Sequence, residues 1–150
     1  MSLRIEPLRR EHLDRIQLRP LDAQGLHCAG YDEQIQDFGE QMLVSGVAFT
    51  ALAGPRILAC AGMQSLRQGV GDLWALTSPE LPRYGVAFCR AVRAWLPWVC
   101  AQQGVWRAQA LVLEQHPVSC RWLEWLGFER EGLLRRYFGK QNFYIYARVQ

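Results

Sequence analysis

Lysine is nearly missing from this sequence: Lys140 is the single lysine among 17 basic residues. Positive charge is therefore carried by arginine, which suits forked recognition of phosphate or carboxylate, although an arginine-biased genome alone gives the same count. A net charge of +3 is too small for the broad basic footprint of a nucleic-acid binder, so nucleic acid is disfavoured as a partner. The five cysteines, Cys28, Cys60, Cys89, Cys100 and Cys120, contain no C-x-x-C pair. That excludes a zinc knuckle or a redox pair, and no metal site is expected. Scattered thiols of this kind read as small apolar residues in a reducing compartment. No apolar run reaches membrane-spanning length, and MSLRIEPLRREH lacks the apolar core of a signal peptide. A cytoplasmic protein without a membrane partner is expected. No repeat, low-complexity run or linker divides the chain, so residues 1–150 read as a single domain. Half of the residues are hydrophobic, enough for a sizeable core.

Apolar periodicity orders the chain. Residues 3 to 8 read as a strand and 9 to 19 as a surface helix. Residues 20 to 31 carry turn residues and read as a loop, and 32 to 44 as a second helix. VAFTALAG and RILACAGMQSL, joined at Gly54-Pro55, read as a hairpin, and DLWALTS, residues 72 to 78, as a third central strand. A long helix follows, with Phe88, Val92, Trp95 and Val99 on one side; Pro97 should kink it or end its regular part. WRAQALVL, residues 106 to 113, is the next strand. Residues 117 to 128 form a short helix with Pro117 at its start and Gly127 past its end. Residues 133 to 138 and 142 to 149 close the chain as two strands. The order is that of a mixed α/β or α+β sheet domain. One parallel crossover is expected over residues 72 to 113, with an antiparallel hairpin at the end.

The sharpest local pattern is HPVSCRWLEWLGFEREGLLRRY, residues 116 to 137. With the element order, it resembles the GNAT superfamily of acyl-CoA-dependent N-acyltransferases, over nearly the whole chain. Ser119, Arg121, Leu123, Glu124, Leu126, Gly127, Phe128, Glu131 and Gly132 fall in the family's register. His116 stands where the family usually has asparagine. Leu123 stands where many members have a tyrosine thought to protonate the departing thiolate. The resemblance implies a mixed, mostly antiparallel central sheet with helices on both faces. It also implies acetyl transfer from acetyl-CoA, or another acyl-CoA, to a primary amine by direct attack.

SPELPRYGVA, residues 78 to 87, poses a sharper question. A helix N-terminus offers free N–H groups and a positive dipole end to a pyrophosphate, and glycine lets it approach closely. The family loop commonly reads Gln or Arg, two residues, Gly, one residue, then Gly or Ala. Aligned on Gly85, Pro82 replaces the leading Gln or Arg, and Gly85-Val86-Ala87 keeps the rest. Arg83, Tyr84, Gly85, Val86 and Ala87 are the expected cofactor residues, with Leu76 and Thr77 offering backbone groups beside pantetheine. Equally, Ser78 can cap a helix that Pro79 begins, with Pro82 starting the main one.

Acetyl transfer needs a base for the amine and an acid for the thiolate. Asp72, Glu80, Glu114 and His116 lie near expected strand ends, and His116 has the most suitable ordinary pKa. Ser119 and Tyr137 are the acid candidates. Each has a plainer role: His116 as a helix cap, Glu114 as a solvated charge, Asp72 as a turn residue, Ser119 in a first helical turn, Tyr137 on a hairpin face. A second hypothesis is a catalytically inactive GNAT-like binding protein, akin to phage-encoded GNAT-like proteins linked with virion assembly. The acceptor can be a small molecule or a protein amine. A homodimer through the tail hairpin, or a protein partner at Trp98 and Trp125, stays open.

Overall fold

The computed structural model describes residues 2–28 and 35–150. The elements run β1 (Leu3–Pro7), α1 (Arg10–Arg15), α2 (Pro20–Cys28), α3 (Ile35–Ser45), β2 (Gly46–Ala53), β3 (Arg56–Arg67) and β4 (Val70–Thr77). A 3-10 turn, Leu81–Tyr84, leads into α4 (Gly85–Gln103), then β5 (Arg107–Leu113), α5 (Pro117–Trp125), β6 (Glu129–Phe138) and β7 (Gln141–Val149). The described residues form one seven-stranded sheet ordered β1-β2-β3-β4-β5-β7-β6. Every neighbouring pair is antiparallel except β4 and β5, which α4 joins in parallel. The expected mixed, mostly antiparallel sheet with one crossover is the one observed.

Alternation along the strands builds a core on each face of the sheet. On one face Ala51, Ala59, Ala61, Met63, Leu73, Ala110 and Tyr146 pack under Phe88, Val92, Leu96 and Val99 of α4 and Cys120 and Leu123 of α5. On the other, Leu52, Cys60 and Leu76 pack with Leu13 of α1 and Leu26 of α2. Small alanines in β2 and β3 let α4 sit close, and its Trp95 meets Phe49 edge-on at 5.0 Å. Among the described residues no helix is long and apolar enough to cross a membrane.

Three expectations need correction. Residues 20–28 are helix, not loop. Pro20 suits the first turn, and contacts from Arg19 and Asp22 to β4, described below, hold the segment in place. Residues 29 to 34 lie outside the described residues. The first surface helix ends early, at Arg15, because Ile16 turns to extended backbone (φ −68°, ψ 134°). Finally, of the two outcomes expected at Pro97, a kink or an end, the end is not seen: α4 continues to Gln103. Gly127 takes the left-handed conformation expected past α5, with φ at 93°.

Candidate active site in the gap between β4 and β5

The central fact is a broken register. β4 pairs with β5 at Val70–Arg107, Gly71–Ala108 and Asp72–Gln109. Beyond that point β4 continues to Thr77 and β5 to Leu113, each still paired on its outer side with β3 or β7. The sheet therefore opens a gap between two strands that remain well ordered.

Backbone parity decides which groups face that gap. Gly69 C=O accepts from the N–H groups of Trp106 and Arg107, whereas Ser78 N–H donates to Leu58 C=O on β3. Odd-numbered residues of β4 thus turn their backbone groups towards β5, and even-numbered ones towards β3. Leu76 therefore spends its backbone groups on the β3 side. Thr77 faces the gap, but its groups are engaged. Arg19 N–H donates to Thr77 C=O at 2.9 Å, and Thr77 N–H donates to Asp22 Oδ2 at 2.9 Å. Thr77 Oγ1 also donates to Asp22, and Arg19 Nε pairs with the same carboxylate at 3.1 Å. Ala75 remains, with its N–H and C=O directed into the gap. Sequence patterns alone gave no signal for Ala75, Arg19 or Asp22.

Two cavities meet here, of about 250 and 230 Å³. Both are lined by Asp22, Ala75, Ser119 and Trp122. The first extends to the α1–α3 face, past Asp72, Trp74 and Phe38. The second runs to the start of α4, past Thr77, Pro82 and Gly85. Trp122 is fixed between them: it stacks on Phe88 at 5.8 Å and its Nε1–H donates to Cys89 Sγ at 2.7 Å. Burial pushes the Cys89 thiol up, away from the thiolate form.

The candidates from sequence separate cleanly. His116 and Ser119 come together in the first cavity. Ser119 Oγ lies 2.9 Å from His116 Nδ1 and 3.5 Å from Nε2. His116 is buried. Burial, and then the charge of Arg19, lower its pKa against the opposing pull of Asp22, so the ring is neutral at pH 7. Glu114 lies elsewhere, exposed in the turn after β5, where Asn142 Nδ2 donates to it at 3.0 Å. Tyr137 is half exposed on the terminal hairpin, packed on Phe138 and Phe143. Neither lines the gap. Asp72, a base candidate at the start of a strand with a turn residue as its plainer reading, sits inside β4 facing the first cavity. Its Oδ1 is buried with no partner among the described residues. Burial pushes this carboxyl up to about 6, against a hydrogen bond from Gln109.

The start of α4 answers the question posed by SPELPRYGVA. Ser78 does not cap a helix at Pro79. Its Oγ accepts from Glu80 N–H at 3.3 Å and its C=O from Leu81 N–H at 3.2 Å, forming a turn. The 3-10 turn then delivers Gly85 as the first residue of α4. Gly85 has ordinary helical backbone, φ −56° and ψ −43°, and a Cβ placed there meets nothing within 4 Å. Neither backbone strain nor packing calls for glycine, and the room it leaves opens onto the second cavity. Tyr84 is half-buried against the core, while Arg83, Val86 and Ala87 are exposed.

No family model and no curated protein matches the chain. Solved structures do match. An acetyltransferase of the GNAT family from Bacillus anthracis superposes with TM-score 0.75 at 16% identity, over 99% of this chain and 95% of that one. A ribosomal-protein-S5-alanine acetyltransferase from Vibrio fischeri gives 0.72 at 14% identity, over 99% and 93%. A mutant spermidine N-acetyltransferase from Vibrio cholerae gives 0.71 at 13% identity, over 99% and 94%. The chain therefore has the fold of the GNAT acetyltransferases.

Proposed function

We propose that this protein is an acyl-CoA-dependent N-acyltransferase that acylates a primary amine held in the first cavity. The observation that carries this reading is the gap itself: two strands part beside the backbone of Ala75, with buried His116 in contact with Ser119 at the junction of two cavities. The residues fit an acyl-CoA. Ala75 N–H and C=O suit an extended amide-bearing arm such as pantetheine. The first-turn N–H groups of Val86 and Ala87, with open space at Gly85, suit a pyrophosphate. Pro82 contributes no N–H, so that cradle rests on α4 alone.

Acetyl-CoA, or another acyl-CoA, supplies a thioester carbonyl open to attack. The protein's own task is proton handling. With Nδ1–H donating to Ser119 Oγ, His116 Nε2 is free to take the proton that the amine gives up. Ser119 lines both cavities and relays a proton towards the second. The reading assigns no role to Glu114 or Tyr137. It is favoured over a binding-only protein because the cleft is open. Trp106 lies instead over Gly69, at the closed end of the strand pair, and Tyr84 lines neither cavity.

The test is calorimetric titration with acetyl-CoA, desulfo-CoA and adenosine diphosphate, followed by thiol release with a panel of amines. Micromolar binding of both coenzyme forms, and amine-dependent thiol release, are expected. No coenzyme binding by folded protein overturns the proposal.

A further inference from the structure

The first cavity holds two unmet polar groups on one face of β4. Asp72 Oδ1 and Trp74 Nε1–H are both buried and unpartnered among the described residues, and both line the cavity. Two residues apart on one strand, they face the same way. A buried acceptor and a buried donor without partners are each destabilising. That cost is recovered when a ligand brings a cation to one and an acceptor to the other. The remaining wall on this side is apolar: Leu21, Leu26, Phe38, Leu111 and Phe143. Phe38 meets the Trp74 ring edge-on at 5.1 Å. Among the described residues the lining has two carboxylates, Asp22 and Asp72. Asp22 is already committed to Arg19 and Thr77. One carboxylate therefore remains for one positive charge.

We infer that the acceptor is a primary monoamine with an apolar, aromatic-sized body and one hydrogen-bond acceptor near the nitrogen, its ammonium group meeting Asp72 and its acceptor meeting Trp74 Nε1–H. A polyamine has too many charges for this wall, since each further ammonium group would lie against apolar side chains. Asp72 is here a specificity-determining residue for amine binding. The inference rests on the acyl-transfer reading for the fate of the amine, but not for its binding.

Binding is measured without coenzyme, by calorimetry with phenylalaninamide, 2-phenylethylamine and spermidine. Phenylalaninamide should bind at least tenfold tighter than spermidine. Asp72→Asn should weaken it at least tenfold while leaving acetyl-CoA affinity unchanged, with a melting curve confirming the fold. Trp74→Phe should weaken phenylalaninamide several-fold and leave 2-phenylethylamine, which has no acceptor, unmoved. Spermidine binding as tightly as the monoamines, no binding of any of the three, or unchanged affinity in both variants overturns the inference. Amine binding without acetyl-CoA binding would sustain it and overturn the transferase reading instead.

Discussion

β4 and β5 behave oppositely at their two ends. At the first end they share three backbone pairs, and side chains cross between them. Gln109 hydrogen-bonds Asp72. Arg107 Nε donates to Gln109 Oε1 at 3.0 Å and its guanidinium forks onto Glu131 at 3.0 and 2.6 Å. The Trp106 indole covers Gly69. At the second end no ladder continues between them, and β4 is held by α2 through Arg19, Asp22 and Thr77. A sheet parts where cross-strand contacts give way to contacts with a third element. The hydrogen-bonded side chains of His116 and Ser119 lie at the parted end.

Substitutions can break this contrast, and they rank by size. At the open end, His116→Gln should lower kcat by about 10²- to 10⁴-fold, the usual worth of a proton acceptor. If the proposed activity holds, kcat/KM of the unsubstituted protein should rise with pH through the lowered His116 pKa, with its midpoint below 6.5, and this limb should vanish in the variant. Gly85→Glu should weaken acetyl-CoA by about 100-fold, equal to about 2.7 kcal/mol, because a carboxylate then fills the open space at the α4 start. Unchanged affinity in a folded variant would move the coenzyme site elsewhere.

The closed end should answer in stability. Asp72 titrates near 6 in the folded protein against an ordinary 3.8, so the fold binds its proton more tightly than the unfolded chain does. Its contribution is therefore greatest below pH 4 and is lost as pH rises to about 6. The loss is at most about 3 kcal/mol. Urea unfolding should show the parent's stability, measured against that of Asp72→Asn at each pH, falling across that range. Gly69→Ala should cost about 2 kcal/mol, since φ is 79° and the added methyl overlaps Trp106. Glu131→Gln should cost less than about 1 kcal/mol, and less still at high salt, because the Arg107–Glu131 pair is partly exposed.

Alternation and turn residues made the strands legible from sequence, because each strand buries one face or both and its period is local. The short helix after β5 was legible for the same reason, with Pro117 and Gly127 marking its ends. α2 was not, because among its described apolar side chains Leu26 alone is deeply buried. What holds it is a pair of contacts to Thr77, 55 residues away along the chain for Asp22. Asp72 was placed at the start of a strand, but its burial beside Gln109 across the ladder could not be read from sequence, because after Gly71 it also looks like turn chemistry. In the candidate site, His116 was singled out for its ordinary pKa and Ser119 by its region; their contact was not foreseen, although a three-residue spacing brings them together within one helical turn. Ala75 was not, since alanine carries no chemical signal and its role lies in backbone parity. Glu114 and Tyr137 sat near the right strand ends but faced the hairpin.

The hold of α2 on Thr77 has a consequence for the life of the protein outside any reaction. Unpaired strand edges invite pairing by foreign chains, and proteins shield them. A gap inside a sheet creates two such edges. Here Arg19 and Asp22 close the mouth of one of them, and α4 and α5 cover its face. On β4 what remains open is the stretch between Asp72 and Thr77, too short to template another strand.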